Sequence, residues 1–311
     1  MRLISGRVLA GLFILPALLF LATRCTSYEE EKKKWPDTYD RGTIHISADE
    51  SFKPVIDAQT LVYDSNYPDT KIIVHYKPEA ECLKDFAVDS IRMIIATRGY
   101  TANEDRFLYD SMKVEHSQLV VANDAIAVIV NPNSPDSLFT MLELKQILTG
   151  KFKRKLIPVF DGVKATSTVR FIVDSVLHSD SLSPNTVAAR TSQGVIDYVA
   201  KTPDAIGFIG VSWVGNKEDS TQMNFLRKVK MASLESTDRP GGYVLPYQAN
   251  IYMKRYPMVR DLVYILKENH KGLGTGFADF LRGNIGQLIF KRAYLVPTQI
   301  NFTMRQARLN E

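Results

Sequence analysis

Apolar residues recur along this chain with two different spacings, one typical of strands and one typical of helices. The change from one spacing to the other predicts alternating strands and helices. Short runs of β-branched and aliphatic residues predict strands. These runs lie at 43–47, 71–76, 90–96, 118–122, 125–130, 157–160, 205–211 and 247–253. Segments with apolar residues three and four apart predict helices at 51–63, 79–88, 140–148 and 192–201, with two or three more between 258 and 293. Such alternation implies an α/β fold with mostly parallel sheets.

The apolar pattern also predicts where the chain passes from one sheet to another. The near-continuous apolar runs at 118–122 and 125–130 meet across Asn123 and Asp124. Runs of this kind are typical of buried strands. The two polar residues between them indicate that one strand leaves the first sheet as the next enters the second, so we place the first crossing here.

A second crossing is expected near 234–245, where Arg239-Pro240-Gly241-Gly242 interrupts the pattern. The chain would return there to its first half. The predicted architecture is therefore two α/β lobes joined by two hinge strands. Residues 42–122 and 243–311 are assigned to the first lobe and residues 123–242 to the second.

The N-terminus has the pattern of an export signal. Two arginines precede an uninterrupted apolar run from Val8 to Ala22, which is short for a transmembrane span and typical of a signal peptide. Cys25 at its end resembles the lipid-modified cysteine of bacterial lipoproteins, although Arg24 stands where that pattern has a small residue. Residues 1–25 are therefore predicted to be a lipoprotein-type signal with lipid attachment at Cys25, and an uncleaved anchor is the alternative. Residues 26–41 are predicted to form a charged, solvated tether.

Charge and cysteine content narrow the functional classes. The formal net charge is +5, but Arg2, Arg7 and Arg24 supply three of these charges in a segment without acids, so the rest of the chain carries only +2. Nucleic-acid binding thereby loses its main electrostatic support. Cys82 is the only cysteine besides Cys25, so a lipidated Cys25 leaves no intramolecular disulfide. We expect Cys82 to be a small buried or half-buried residue and not a reactive thiol, and its acidic neighbours would also raise the pKa of the thiol.

The stretch 157–168 predicts a site at the start of a helix. A short buried strand, Ile157–Phe160, leads into a loop of small and hydroxylated residues and then into an amphipathic run, with Thr166 or Ser167 as the helix cap. Free backbone N–H groups, hydroxyls and the positive end of a helix dipole would meet there, and this arrangement suits an oxyanion. An ordinary N-cap is the simpler interpretation of these residues taken alone.

Several stretches together resemble one family. They are Ala125–Pro132 followed by Phe139–Lys151, Pro203–Gly210, and Phe280–Gln287 with Tyr294–Pro297. Their motifs, V-N-P before T-x-x-x-L-x-x-I-x-x-G, then P-x-A-I-G-F-x-G and F-x-x-x-x-x-G-Q, are similar to those of the phosphate-binding proteins of bacterial ABC importers, the PstS-like group. The resemblance covers roughly residues 42 to 298 and implies the two-lobed type II periplasmic-binding-protein fold, with mixed, mostly parallel sheets.

The resemblance further implies that loops at the starts of helices in both lobes wrap an anion with hydroxyls and backbone N–H groups. The positions that match the family's ligand loops are Ser51, Phe52, Thr97, Arg98, Thr166, Ser167 and Thr168. The loops also depart from the family. Glu79 and Glu81 stand in a loop that is rich in glycine and serine there, Asp161 replaces an arginine, and the glycines of the last loop are absent. Lys164 and Arg170 are candidates to restore positive charge.

The resemblance implies an exported, membrane-tethered solute-binding protein of the periplasm or cell envelope. It would bind phosphate or a related oxyanion between its lobes as a monomer and pass this ligand to an ABC permease, with no cofactor and no metal. The alternative is a non-transporting accessory or sensory envelope protein on the same fold, with an altered or lost anion site. An enzyme is not expected, because the five histidines lack metal-binding spacing and no G-x-S-x-G motif occurs.

Overall fold

A computed structural model describes residues 35–113, 115–162, 166–216, 218–268 and 270–299 of the protein. The predicted signal, its Cys25 and most of the predicted tether therefore lie outside the described residues, as does Lys164. In the described part of the chain, none of the helices has the length and apolar character needed to cross a membrane.

The predicted alternation of strands and helices is confirmed. The described strands are β1 (Arg41–Asp49), β2 (Asp69–Lys77), β3 (Ile91–Ala96), β4 (Ser117–Val130), β5 (Leu138–Phe139), β6 (Ile157–Phe160), β7 (Val187–Ala188), β8 (Ala205–Gly210), β9 (Lys230–Met231), β10 (Ser233–Glu235), β11 (Tyr243–Val244), β12 (Val259–Leu266) and β13 (Val296–Pro297). The described α-helices are α1 (Lys53–Asn66), α2 (Glu79–Lys84), α3 (Ala102–Met112), α4 (Met141–Leu148), α5 (Ser167–Ile172), α6 (Ser192–Lys201), α7 (Ser220–Lys228), α8 (Gln248–Tyr252), α9 (Leu273–Arg282) and α10 (Asn284–Arg292).

One mixed sheet runs through the structure in the order β2-β1-β3-β12-β4-β8-β6-β7, and β13 and β9 also pair with β4. Pairing is parallel within the outer groups β2-β1-β3 and β8-β6-β7. It is antiparallel wherever β4 or β12 takes part. The expected parallel arrangement therefore holds at both flanks, and the two central strands make the sheet mixed. A smaller sheet has the order β11-β10-β5.

Strand β4 connects the two halves of the sheet. Its first part pairs with β12 and its second part with β8. We call the half built on β2, β1, β3 and β12 lobe 1, and the half built on β8, β6 and β7 lobe 2. The sequence pattern predicted two strands separated by Asn123 and Asp124, whereas the structure has one. Both polar residues stay in the strand because Asp261 and Arg260, opposite them on β12, bond their side chains.

The chain returns to lobe 1 through β12. The predicted crossing at 234–245 instead contains β10 and β11, which pair with each other, and β10 also pairs with β5. Tyr256 and Met258, just before β12, hydrogen-bond the backbone of Ile126, where β4 changes its partner strand. The second connection thus passes beside the first, and the limits of the two lobes remain a prediction.

Two predictions of element type were wrong. The segment 247–253, predicted as a strand, contains the short helix α8, in which Ile251 is the buried residue. The run from Val259, predicted as part of a helical region, is strand β12. The spacing of apolar residues alone does not distinguish a short buried strand from a helix. Here the strand is favoured because β3 and β4 offer pairing partners on both of its sides.

The last residues of the predicted tether fold against lobe 1. Asp37 and Thr38 are buried, and the Asp37 carboxylate accepts a hydrogen bond of 2.7 Å from the backbone N–H of Leu273 at the start of α9. A helix N-terminus has free N–H groups that an aspartate satisfies. The prediction of a solvated tether is therefore wrong for Asp37 and Thr38.

The apolar core supports the loop that follows β6. The largest apolar cluster continues from lobe 1 into lobe 2, and there Phe160 stacks on Phe208 with ring centres 4.9 Å apart. A separate cluster in lobe 1 contains Cys82, whose thiol has its pKa raised by burial, as expected for a structural cysteine. Phe160 thus fixes the end of β6 in the core, directly before Asp161.

Candidate functional site

The two lobes touch through residues that the sequence predicted as ligand contacts. Ser51 follows β1 of lobe 1, Ser167 begins α5 of lobe 2, and their hydroxyl oxygens are 3.3 Å apart. Both side chains are buried, as is Phe52. Hydroxyl groups from both lobes therefore meet at one place, which we call the cleft.

Thr166 is the cap of α5, one of the two residues expected in this role. Its hydroxyl oxygen accepts the backbone N–H of Val169 at 3.3 Å. The hydroxyls of Ser167 and Thr168 are therefore not needed for capping. They are buried at the cleft, where both accept hydrogen bonds from Arg260.

Arg260, which sequence reasoning missed, lies at the centre of the cleft. Its side chain, from β12, is only 3% exposed, and its Nε donates to Asp124 Oδ2 at 2.8 Å. Its Nη1 donates to the hydroxyls of Ser167 at 2.9 Å and Thr168 at 3.4 Å. The guanidinium also lies 5.3 Å from the centre of the Phe52 ring. The remaining nitrogen, Nη2, is buried and has no hydrogen-bond partner among the described residues.

The unpartnered Nη2 group marks a position for a ligand atom, because leaving a buried donor unsatisfied costs free energy. Gly210 permits a close approach here: a Cβ at this position would lie 3.2 Å from Nη2 and 3.1 Å from the Ser51 carbonyl oxygen. The available sequence signal was an arginine inside an apolar run, Arg260, and an aspartate interrupting another, Asp124. Only the strand register shows that they face each other.

Three buried aspartates surround the guanidinium. Besides Asp124 they are Asp49, whose carboxylate accepts the backbone N–H of Ser51 at 2.9 Å, and Asp161, which follows β6. One oxygen of each carboxylate, namely Asp49 Oδ2, Asp124 Oδ1 and Asp161 Oδ1, has no hydrogen-bond partner within the described ranges. Within the described ranges, the cleft therefore contains more unpartnered acceptor atoms than unpartnered donor atoms. Of these three, only Asp161 was predicted from the sequence to lie in a ligand loop.

Burial raises the pKa of all three carboxyl groups, because a charged carboxylate loses its hydration there, and Arg260 opposes the shift. For Asp161 the pKa rises to about 7. Burial is the largest cause, the negative charges of Asp49 and Glu50 add to it, and the Thr166 hydroxyl and Arg260 reduce it. Asp161 is thus a carboxyl group that changes its protonation near neutral pH.

A second contact between the lobes lies beside the first. Arg170 of α5 donates to the carboxylate of Glu79 in α2 at 2.6 Å and to the hydroxyl of Thr97 at 2.6 Å. Thr97 donates its backbone N–H and its hydroxyl to the same carboxylate. Burial raises the pKa of Glu79, but the bonds from Arg170 and Thr97 outweigh burial and hold it below its usual value. Arg170, expected to restore positive charge, therefore neutralises Glu79.

We expect Arg170→Met to widen the separation of the lobes in the absence of ligand. The change leaves the Glu79 carboxylate buried without its charged partner, and an open cleft would hydrate it. Small-angle scattering should show a larger radius of gyration than for the wild type. Lowering the pH should also widen the separation of the lobes. The contact with Arg170 and Thr97 lowers the pKa of Glu79, so closure of the lobes is favoured at a pH above the usual pKa of a carboxyl group. This advantage is lost at lower pH, where Glu79 becomes protonated. Arg154→Met is the matched control, since Arg154 pairs with Asp136 inside lobe 2 at 3.0 Å; identical curves for both variants would contradict this role of Arg170.

Hydrogen bonds that are not ion pairs also join the lobes. The Glu50 carboxylate accepts the hydroxyl of Ser192, at the start of α6, at 2.7 Å. The carbonyl oxygen of Ser51 accepts the Ser212 hydroxyl at 3.2 Å and the indole N–H of Trp213 at 3.0 Å. The contact between the lobes therefore does not depend on Arg170 alone.

The structure brings all the predicted ligand residues to the cleft or its edge except Arg98. The guanidinium of Arg98 turns towards α3, where it makes two bonds of 2.8 and 2.9 Å to Glu104. Thr97, its neighbour, lies at the edge of the cleft and is bonded to Glu79 and Arg170. A ligand contact by Arg98 remains a prediction that its observed partner does not support.

A cluster of side chains of metal-binding type lies elsewhere in lobe 1. Ligand atoms of Asp37, Glu268 and His270 are within 4.8 Å of one another. Glu268 also accepts a bond of 2.6 Å from Arg92 and further bonds from backbone N–H groups around the start of α9, including that of Thr275. These bonds account for the carboxylate as a helix cap, and we assign no metal there.

Comparison with known families agrees with this architecture. A family model described as the PBP superfamily domain matches residues 36–284. The chain therefore belongs to the PBP superfamily, which confirms the predicted periplasmic-binding-protein-like fold.

Individual relatives point to phosphate-binding proteins. The phosphate-binding protein PstS of Bacillus subtilis (strain 168) is 22% identical over 312 residues, which cover 94% of this chain and 95% of that protein. A Clostridium perfringens protein assigned to phosphate ABC transporters and solved with bound phosphate matches with a TM-score of 0.69 and 21% identity, over 83% of this chain and 100% of the other. An ABC-type phosphate transport receptor from Vibrio cholerae matches with a TM-score of 0.60 and 17% identity, over 81% and 99%. The predicted resemblance to PstS-like proteins is thus confirmed.

Proposed function

We propose that the protein is a receptor whose two lobes close on phosphate or a related oxyanion. The observation that carries this proposal is the unpartnered Nη2 group of Arg260 beside the hydroxyls of Ser51, Ser167 and Thr168. A guanidinium and hydroxyl donors can replace the water around an anion. Because these donors come from both lobes, a bound anion would favour the closed form over an open one.

The relatives support the same ligand. The Bacillus subtilis relative is named a phosphate-binding protein, and the Clostridium perfringens structure contains phosphate. These relatives bind or carry a ligand, and the groups in the cleft are suited to hold an anion. We therefore infer a binding protein and not an enzyme.

We further infer that the receptor is exported and serves an ABC-type importer in the cell envelope as a monomer. The transporter assignment of its relatives supports the importer. The signal-like N-terminus supports export and attachment to the membrane surface through a lipid on Cys25.

Thermal unfolding with added anions tests the proposed ligand. Protein that has been unfolded and refolded, to remove carried-over ligand, is titrated with phosphate, arsenate, sulfate and chloride. A ligand at about 100 times its dissociation constant adds about 2.7 kcal/mol, which raises the unfolding midpoint of a chain of this size by about 5–10 °C. We expect a saturable shift with phosphate and none with chloride. Equal shifts with all four anions would contradict a specific oxyanion receptor.

The buried aspartates favour a second candidate, an accessory or sensory envelope protein with an altered anion site. Asp49, Asp124 and Asp161 bring negative charge to the place where an anion would bind. Such charges oppose an anion unless they are neutralised. The absence of a shift with every anion in the same titration would favour this candidate over the receptor.

A further inference from the structure

The charges of the cleft oppose the binding of an anion. Among the described residues, Arg260 supplies the positive charge, and Asp49, Asp124 and Asp161 lie around it. When these four groups are ionised, three negative charges face one positive charge. Like charges repel strongly in a buried site of low dielectric constant. An anion therefore binds in the cleft more favourably if one of the carboxyl groups is neutral.

Asp161 is the carboxyl group best placed to become neutral. Asp124 accepts a bond from the guanidinium of Arg260, and Asp49 accepts the backbone N–H of Ser51. These charged or fixed donors favour the ionised form of their acceptors. Each of the three carboxylates has one oxygen without a hydrogen-bond partner in the described part of the chain, but Asp161 differs in that its bond comes from the neutral hydroxyl of Thr166.

We propose that the cleft binds an oxyanion and a proton as a pair, and that the Asp161 carboxyl group carries the proton. This proposal rests on the proposed function for the anion and adds the proton as its companion. As the anion enters, the Asp161 carboxylate takes one proton from solvent; as the anion leaves, the proton returns. Protonation removes one negative charge and turns an acceptor oxygen into an O–H donor that hydrogen-bonds to the anion.

The groups around Asp161 support this assignment. Among the residues that the structure describes, the charged groups that face it are Asp49 and Glu50 from the end of β1 and Arg260 from β12, and the Thr166 hydroxyl bonds it from its own loop. Two acids and one arginine, together with burial, place its pKa at about 7. A bound anion adds a further negative charge and raises this pKa again. Proton uptake on binding follows at and above neutral pH.

Calorimetry of phosphate binding tests the proposal. At pH 8, the dependence of the binding enthalpy on the ionisation enthalpy of the buffer counts the protons taken up. We expect the wild type to take up about one proton per phosphate and Asp161→Asn to take up none, because the amide donates an N–H without titrating. Asp197→Asn is the matched control: Asp197 lies exposed on α6, bonds Lys228 at 3.2 Å, and its loss should leave proton uptake as in the wild type.

The outcomes separate this proposal from the receptor function. Phosphate binding without proton uptake by the wild type would overturn the proposal and leave the phosphate receptor intact. Unchanged uptake by Asp161→Asn would also overturn it, since the proton would then lie on phosphate or on another group. If neither the wild type nor the control binds phosphate, the receptor function and this proposal both fail.

The stability of the ligand-free protein gives a second readout. The folded pKa of Asp161 is about 7 and its usual value is 3.8. The folded protein therefore keeps a proton that the unfolded chain loses, so wild-type stability should fall as the pH rises from about 4 to about 7 and then level off. Asp161→Asn should show a smaller fall, because burial also raises the pKa of Asp49 and Asp124, and it should be more stable than the wild type at pH 8. An identical pH profile for both proteins would contradict the role of Asp161.

Discussion

Arg260→Met is expected to destabilise the protein by about 3–5 kcal/mol, because the Asp124 carboxylate stays buried without its charged partner. The two side chains are 3% and 0% exposed, and Nε lies 2.8 Å from Oδ2. Urea unfolding should therefore have a lower midpoint. Since the same guanidinium bonds Ser167 and Thr168, phosphate binding should also be lost under conditions in which the variant is still folded.

Arg255→Met is the matched control for this prediction. Arg255 also bonds a carboxylate at 2.8 Å, that of Asp238, but the two side chains are 43% and 51% exposed. An exposed pair contributes little to stability because solvent screens it. Equal losses in the two variants would contradict the importance of burial.

A double variant separates charge from packing. Adding Asp124→Leu to Arg260→Met removes the unpaired carboxylate, and apolar replacements of a buried ion pair are often neutral for stability. We expect the double variant to recover part of the lost stability and none of the phosphate binding. Stability equal to that of the single variant would show that the cost of Arg260→Met does not come from the carboxylate.

Replacing Ser167 and Thr168 together by alanine is expected to abolish phosphate binding and to leave the fold intact. Both hydroxyls are buried at the cleft and are bonded by Arg260. The fold should persist because Thr166, not these two residues, caps α5. Calorimetry with phosphate measures the loss, and circular dichroism checks the fold.

A second serine–threonine pair provides the control. Ser220 and Thr221 occupy the first two positions of α7 after the cap Asp219, as Ser167 and Thr168 do in α5 after Thr166. Ser220 and Thr221 are exposed, however, and lie in another helix of the chain. Their replacement by alanine should leave phosphate affinity unchanged. Unchanged affinity after replacement of Ser167 and Thr168 would instead move the anion site away from α5.

The position of Arg260 could not be predicted from the sequence. The apolar run of β12 fits the helical region that the sequence predicts there, and an arginine in such a region does not indicate a site. Arg260 and Asp124 are 136 residues apart in sequence. They meet because an antiparallel ladder aligns β12 with β4, and this register depends on the whole sheet.

The sequence by itself determined the alternation of strands and helices, the passage of the chain near Asn123 and Asp124, and the two candidates for the cap of α5. It also indicated that the hydroxyl groups of Ser51 and Ser167 lie near each other. The first three features depend on residues that are close together along the chain, since periodicity and capping act over a few positions.

Only the tertiary structure determined which charged groups meet in the cleft. It placed Arg260 at the centre, paired Arg170 with Glu79 across the lobes, and brought Asp49 and Asp161 to the same guanidinium. The physical reason is that the protonation and pairing of a charged group depend on its burial and on its nearest charges. Both depend on which strands and helices pack next to one another, and this packing is determined by residues that are far apart in sequence.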